Sequence, residues 1–120
     1  MPGPSFDLQS HSIHSDGDHG AAEVVGYARE AGVEVLALSD HDTVDGVQEA
    51  LDAGARIGVT IVPATEISAV EGPHEDLHVL GSGFDHTDAT LAERLLDARD
   101  DRVRRADAMR ERLAVLGYEI

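Results

Sequence analysis

Apolar residues recur along the chain at two spacings, one typical of helices and one typical of buried strands. At 21–31 and 44–57 they return every three or four positions, which predicts two amphipathic helices. Gly32 and Gly58 follow these segments, where a glycine often ends a helix. Strands are predicted where apolar residues run continuously or alternate with polar ones, at 5–11, 33–39, 59–67 and 76–84.

The last quarter of the chain carries one long helical pattern. Apolar residues stand on one stripe from Ala92 to Leu116, and Arg, Asp and Glu fill the other faces. Asp88 is placed to cap the start of this helix and Gly117 to end it. The alternation of basic and acidic residues favours a solvated, ion-paired face over a substrate-binding face for Arg99, Arg102, Arg104 and Arg105.

The order of strands and helices predicts an α/β fold with a parallel sheet and right-handed crossovers. In such folds, side chains that bind ligands gather at the carboxyl ends of the strands. The chemistry-bearing residues of this sequence fall at those ends. Gln9, His11 and Asp16 belong to the end of the first strand, Asp40 and His41 follow the second, Glu66 ends the third and His78 lies on the fourth.

Imidazole and carboxylate groups without thiolates indicate a divalent cation such as Mn²⁺, Zn²⁺, Fe²⁺ or Mg²⁺. Each residue also has a simpler interpretation. Asp42 or Thr43 would cap the second helix, Glu66 would be an ordinary strand-end carboxylate, and His78 would be a half-buried strand histidine. Four strands carry imidazole or carboxylate groups, and all of these groups are predicted at the same edge of the sheet. A metal or phosphate site is therefore favoured over the simpler interpretations.

Charge and composition narrow the functional class. The 120 residues include 24 acidic and 9 basic residues, the latter all arginine, for a formal net charge of −15. This charge disfavours binding to long duplex nucleic acid. The chain has no cysteine, which excludes disulfides, thiolate metal sites and cysteine nucleophiles. No apolar run is long enough to span a membrane and the first residues lack a secretory-signal pattern, so we expect a soluble cytoplasmic protein.

The residues at the strand ends also form four ordered motifs. They are Asp7–Gly17 (DLQSHSIHSDG), Leu38–Thr43 (LSDHDT), Ala64–Ser68 (ATEIS) and Leu77–Gly81 (LHVLG). Together they resemble the motifs of the PHP (polymerase and histidinol phosphatase) family of metal-dependent phosphoesterases. Within that family the chain resembles the N-terminal half of the proteins in the branch of nucleoside 3′,5′-bisphosphate phosphatases and 5′–3′ exoribonucleases.

The resemblance implies a fold and a metal centre. The fold would be the front portion of a distorted (β/α)7 barrel at residues 1–86, with the start of a helical insertion at 87–120. The centre would hold two or three divalent metal ions, with Mn²⁺ preferred and Zn²⁺, Fe²⁺ or Mg²⁺ as alternatives. His41 and Asp40 would serve catalysis, Asp40 by orienting a ligand or a loop amide. The implied metal ligands are His11, Asp16, His41, Glu66 and His78, with Gln9 as a weaker sixth.

The implied activity is hydrolysis of a small phosphate ester, a nucleotide or nucleoside bisphosphate, by a metal-activated water. The expected partner is therefore a small phosphorylated substrate. Two other functions stay open: a non-catalytic metal-binding or structural PHP-like module, and a metal enzyme that acts on C–N bonds.

The sequence departs from the family pattern in two ways. Gln9 stands where the family has a histidine, and an amide oxygen binds Zn²⁺ or Mn²⁺ more weakly than imidazole does. The later family motifs, which supply further ligands and close the sheet, do not occur in the chain. We therefore expect a half-barrel with weak activity or none of its own, whose open strand edge favours self-association.

The other four histidines are expected to play smaller parts. His14 and His19, in the first loop, are predicted to face solvent or to lie near substrate. His74 and His86 are predicted to be exposed in polar turns.

Overall fold

The structure is a computed structural model that describes residues 5–71 and 75–120. Its elements are β1 (Phe6–Ser10), α1 (Ala21–Glu30), β2 (Val35–Leu38), α2 (Val47–Ile57), β3 (Thr60–Glu71), β4 (Glu75–Ser82) and α3 (Ala89–Val115). The predicted order of strands and helices is confirmed, with differences at several element ends. Within the described ranges, every helix is too short or too polar to cross a membrane.

The four strands form one sheet in the order β1-β2-β3-β4. β1 pairs with β2 and β2 pairs with β3, both in parallel, as the alternation of strands and helices predicted. The helices between them pack against each other and against the sheet. The core they share is made of small and branched side chains rather than rings: Ala21, Val25, Leu36, Leu38, Ala50, Ala53 and Val59.

Helix α2 approaches β3 closely because it has a glycine at the contact. A methyl group at Gly54 would overlap the carbonyl oxygen of Val59 and would lie 2.6 Å from Cγ1 of Ile61. Only a residue without a side chain fits there, so Gly54 fixes the distance between the helix and the sheet.

The last strand pair differs from the prediction, because β4 runs antiparallel to β3. β3 ends at Glu71 and β4 begins at Glu75, and a connection of this length is too short for a parallel crossover. The two strands therefore form a hairpin, and β4 begins on the side where the parallel strands have their carboxyl ends.

The prediction that β3 ends beside Glu66 is also wrong, because β3 continues to Glu71. The parallel ladder with β2 nevertheless stops at the pair Leu38–Pro63. Glu66 lies beyond that point, where it forms an isolated bridge with His41. Glu66 therefore still lies at the carboxyl edge of the parallel strands, as predicted, although it does not end β3.

Helix α2 begins later than predicted, at Val47, with Gly46 as its N-cap residue. The alternative in which Asp42 or Thr43 caps this helix is therefore wrong. Asp42 has a φ of 51°, in the left-handed region that few side chains adopt. The chain turns sharply here, directly after His41.

Helix α3 begins and ends as predicted. The Oδ1 atom of Asp88 accepts a hydrogen bond from the amide of Leu91, and Gly117 follows the helix with a φ of 88°. The apolar stripe is largely exposed, with Leu95 as the buried residue of the helix. The division of the chain at residue 86 into a barrel part and an insertion stays a prediction.

Candidate metal centre

The structure brings the five side chains predicted as metal ligands together at the carboxyl end of the parallel strands. They form two overlapping groups of three, and within each group the candidate ligand atoms lie within 4.8 Å of one another. His41 belongs to both groups. The first group is His11, Asp16 and His41, and the second is His41, Glu66 and His78.

The distances between neighbouring ligand atoms suit a shared cation. Nδ1 of His11 lies 3.4 Å from Oδ1 of Asp16, and Nε2 of His41 lies 3.5 Å from Oδ2 of the same residue. Two atoms that each lie about 2.1 Å from one tetrahedral or octahedral ion are separated by about 3.0–3.4 Å. The two distances from Asp16 to the histidines are therefore already close to those around a bound ion.

Two ring nitrogens in this cluster are buried and make no hydrogen bond. They are Nδ1 of His11 and Nδ1 of His41. Leaving a polar atom buried without a partner is unfavourable, so such an atom calls for an explanation. A cation that accepts the imidazole lone pair would provide one, and the residues present therefore fit a divalent metal ion.

Glu66 is a buried carboxylate at the middle of the cluster. Its Oε1 lies 2.8 Å from Nδ1 of His78, and its Oε2 accepts a hydrogen bond of 3.0 Å from Nε2 of Gln9. Burial raises the pKa of Glu66, but the bonds from His78 and Gln9 and the nearby His41 and His11 outweigh it, so the pKa lies below its usual value. The side chain is therefore a carboxylate anion at neutral pH.

The three candidate imidazoles also pack on one another. The rings of His11 and His41 stack with centroids 4.7 Å apart, and His78 meets His41 edge-on at 5.0 Å. These contacts limit how far each ring can rotate, so the cluster is held in shape by packing as well as by hydrogen bonds.

Asp40 lies beside the cluster, is almost fully buried, and belongs to neither ligand group. Its Oδ1 accepts hydrogen bonds from the amide of Ser12 at 2.6 Å and from the hydroxyl of Ser15 at 2.8 Å. Its Oδ2 accepts one from the hydroxyl of Ser12 at 2.7 Å. Asp40 thus holds the loop that carries Asp16.

The same loop is too tight for a side chain at Gly17. A methyl group there would lie 2.6 Å from the carbonyl oxygen of His11. Ser12, Ser15 and Gly17 of the first motif, together with Asp40, therefore let the loop fold back towards β1 so that Asp16 lies beside His11.

Two arginines of α3 reach across to this end of the sheet. Arg102 donates to the buried carboxylate of Asp42 and to the hydroxyl of Ser68. Arg99 donates to Thr43 and forms an ion pair of 3.0 Å with Asp45. Both arginines are ion-paired and partly exposed, as predicted, but their partners lie on the loop after His41 and not on α3 itself.

The prediction of local ion pairs is confirmed for the other two arginines. Arg104 pairs with Asp101 at 3.2 Å, and Arg105 lies 3.9 Å from the same aspartate. Arg99, Arg102 and Arg105 are spaced three residues apart, which places them on one side of a helix. This spacing was the signal in the sequence that the three arginines contribute to one surface.

A cavity of about 600 Å³ opens between the ligand cluster and α3. Three of the chain's nine arginines contribute to its wall, although the net charge of the protein is −15. The cavity is lined by His14, Ser15, Asp16, His41, Ser68, His78, Arg99, Arg102, Arg105, Ala106 and Met109.

The remaining histidines stay outside both ligand groups of the described residues. His14 is exposed and lines the cavity, and the ring of His19 meets Tyr27 edge-on at 4.8 Å. His86, predicted to be exposed, is partly covered and lies 3.0 Å from Oε1 of Gln48. His74 lies outside the described residues.

Three curated relatives match nearly the whole chain. A 3′,5′-nucleoside bisphosphate phosphatase from Chromobacterium violaceum is 36% identical over 113 residues, which are 94% of this chain and 39% of that protein. A 5′-3′ exoribonuclease from Haemophilus influenzae is 36% identical over 93% of the chain and 40% of its own length. A phosphoribosyl 1,2-cyclic phosphate 1,2-diphosphodiesterase from Eggerthella lenta is 34% identical over 95% of the chain and 44% of its own length.

Two solved structures share the fold. An amidohydrolase from Chromobacterium violaceum, with bound sulfate and no metal, superposes with a TM-score of 0.85 at 35% identity and covers 97% of this chain. A proposed metal-dependent phosphoesterase from Bifidobacterium adolescentis gives a TM-score of 0.82 at 33% identity over 94% of the chain. The chain spans 40% and 39% of these two proteins.

The predicted fold class, the front portion of an α/β phosphoesterase barrel followed by a long helix, is confirmed by these superpositions. No model of a protein family matches the sequence. The chain spans about two fifths of the length of the relatives it matches. Over that length it is related to the PHP-family branch of nucleoside bisphosphate phosphatases and 5′–3′ exoribonucleases, as its four motifs predicted.

Proposed function

We propose that this chain is the metal-binding part of a phosphoesterase that hydrolyses a small phosphate ester, a nucleotide or a nucleoside bisphosphate. One observation carries the proposal. Three histidines, an aspartate and a glutamate from β3, β4 and two loops form one cluster beside the cavity, and two of their ring nitrogens are buried without a hydrogen-bond partner. The names of the relatives, all of them phosphoesterases acting on phosphorylated ribose or RNA compounds, support the substrate class.

His11, Asp16, His41, Glu66 and His78 would hold the metal ions. Divalent cations bound there would neutralise charge on a phosphate ester and lower the pKa of a water molecule. Mn²⁺ is our first choice because the donors are imidazole and carboxylate without thiolate. Asp40 takes no part in binding the ester and positions the loop of Asp16 through its hydrogen bonds to Ser12 and Ser15.

The arginines on α3 would orient the substrate. Arg102 and Arg99 are fixed against the loop after His41, so their positive charges border the cavity at a constant position. A phosphate-bearing ligand would be attracted to this wall, whereas the acidic surface elsewhere would repel long nucleic acid. Fixed charges of this kind reduce the reorganisation that a phosphoryl transfer needs.

A specific observation also favours the non-catalytic alternative, in which the chain only binds metal. Gln9, where the family pattern has a histidine, donates to Glu66. An enzyme and a metal-binding module differ in turnover. Added Mn²⁺ would raise the melting temperature in both cases, but only an enzyme would release phosphate.

The open edge of the sheet leads to a further proposal. β1 is an edge strand of the described sheet, and Phe6 and Leu8 on it are exposed. An exposed apolar edge tends to pair with another strand. We expect the isolated chain to self-associate as its concentration rises, which sedimentation analysis would detect.

The test of the proposed function is metal-dependent phosphate release. The chain is incubated with MnCl₂ and a nucleoside 3′,5′-bisphosphate, and inorganic phosphate is measured over time. We expect slow release that EDTA abolishes, that His41→Ala abolishes and that His19→Ala leaves unchanged, because His19 lies outside the cavity. Release that survives His41→Ala would contradict the assignment, and hydrolysis of amide substrates instead of phosphate esters would favour the C–N alternative.

A further inference from the structure

We infer that Gln9 closes a third metal position beside Glu66 by donating a hydrogen bond, so that the centre formed by this chain has two metal positions rather than three. The inference rests on the metal centre proposed above. It does not require that the centre hydrolyse anything.

The two oxygens of Glu66 face different neighbours. Oε1 meets Nδ1 of His78 on β4, at 2.8 Å, and this side belongs to a group of three ligands. Oε2 faces β1, where it lies 3.0 Å from Nε2 of Gln9 and 3.2 Å from Nε2 of His11. Gln9 and His11 are two residues apart along the chain, so a third position would lie between their side chains and Oε2.

The atom that Gln9 presents to this position cannot bind a cation. An amide nitrogen carries two hydrogens and has no available lone pair. If its oxygen were turned inward instead, the hydrogen bond to Glu66 would be lost. Glu66 is 4% exposed, and a buried carboxylate that loses a donor is strongly destabilised.

The position beside Oε2 is therefore one ligand short. His11 and Glu66 offer lone pairs there, whereas each of the two groups found among the described residues has three ligands. Three protein ligands are the usual number for a catalytic divalent metal. A histidine at residue 9 would restore the third.

The test counts metal ions in Gln9→His and Gln9→Ala beside the unchanged chain. Each protein is equilibrated with Mn²⁺, dialysed, and analysed by plasma mass spectrometry. Leu8→His is the matched control, because it adds a histidine to the same strand at an exposed position whose side chain points to the opposite face. We expect one additional equivalent in Gln9→His and no change in Gln9→Ala or in Leu8→His.

Two results would overturn the inference. Loss of an equivalent in Gln9→Ala would mean that the glutamine oxygen is itself a ligand. A folded Gln9→His chain, checked by circular dichroism, that gains no equivalent would mean that no position exists there. Should Gln9→His fail to fold, the count for Gln9→Ala decides alone, because an unchanged count supports the inference. No substrate is present, so a failure of the proposed hydrolysis leaves these counts unaffected.

Discussion

Nδ1 of His78 lies 2.8 Å from Oε1 of Glu66 because of the register of the β3–β4 hairpin. Glu66 pairs with Leu80 and Ser68 pairs with His78, which makes Glu66 and His78 diagonal neighbours on one face of the sheet. A shift of one residue would turn His78 to the opposite face. The hairpin, rather than a parallel crossover, therefore brings the third histidine to the cluster.

Asp40 is expected to control metal affinity without binding metal. Asp40→Asn replaces one acceptor of the bonds from Ser12 and Ser15 by an amide donor, so the loop of Asp16 loses its anchor. We predict a loss of metal affinity of about 10–100-fold, the usual effect of removing a group that orients a ligand. Calorimetric titration with Mn²⁺ measures it. Asp18→Asn, an exposed change in the same loop, serves as the control, and equal affinity in Asp40→Asn and the unchanged chain would contradict the role.

Arg102 is expected to stabilise the fold much more than its neighbour Arg104. Arg102 neutralises Asp42, which is 1% exposed, whereas Arg104 pairs on the surface with Asp101. Arg102→Met would leave a buried carboxylate without its cation, at a cost of about 1–3 kcal/mol because Arg102 itself is half exposed. Arg104→Met should change stability by less than about 0.5 kcal/mol. Urea denaturation compares the two, and equal effects would mean that the contact with Asp42 contributes nothing.

Two glycines in helices are expected to respond oppositely to alanine. Gly54→Ala places a methyl group against Val59 and Ile61, and forcing α2 away from β3 should cost about 1–3 kcal/mol. A methyl group at Gly26 in α1 would meet no neighbouring segment within 4 Å, so Gly26→Ala should stabilise by about 0.5–1 kcal/mol through helix propensity. Thermal unfolding of both variants tests the packing, and stabilisation by Gly54→Ala would contradict it.

The ion pair of Asp45 with Arg99 is expected to depend on pH. Burial raises the pKa of Asp45, but the bonds to Arg99 and Thr43 lower it more, so the pKa lies below its usual value. The stability that Asp45 contributes is therefore present above about pH 4 and disappears as the pH falls further. In EDTA, the chain should exceed Asp45→Asn in stability by less than about 1 kcal/mol at pH 7, and by less at pH 3 than at pH 7. An advantage that grows towards pH 3 would contradict this sign.

The sequence predicted those features whose cause is local. The bounds of α3 follow from Asp88 and Gly117, which act on the helix ends they adjoin. His11, Asp16, His41 and Glu66 were found because a parallel α/β order places residues at the carboxyl ends of its strands at one edge of the sheet. His78 was found as well, but it reaches that edge through the antiparallel hairpin.

The missed features depend on contacts between distant segments. Helical spacing indicates that Arg102 lies on a helix face, but it does not say that the face turns back onto Asp42, 60 residues earlier. The early end of β3 was predicted because Glu66 resembles a strand end, whereas pairing with β4 extends the strand to Glu71. Only the short β3–β4 connection could have revealed the hairpin beforehand.

Metal binding by the five side chains is the central property of the proposed site. The measurement is the Mn, Fe and Zn content per chain after growth in manganese-supplemented medium, by plasma mass spectrometry, for the chain, His41→Ala and His19→Ala. Because His41 belongs to both ligand groups and His19 to neither, we predict one to two metal ions per chain, loss in His41→Ala and retention in His19→Ala. Metal content that is absent from all three proteins, or that is unchanged in His41→Ala, would contradict the account.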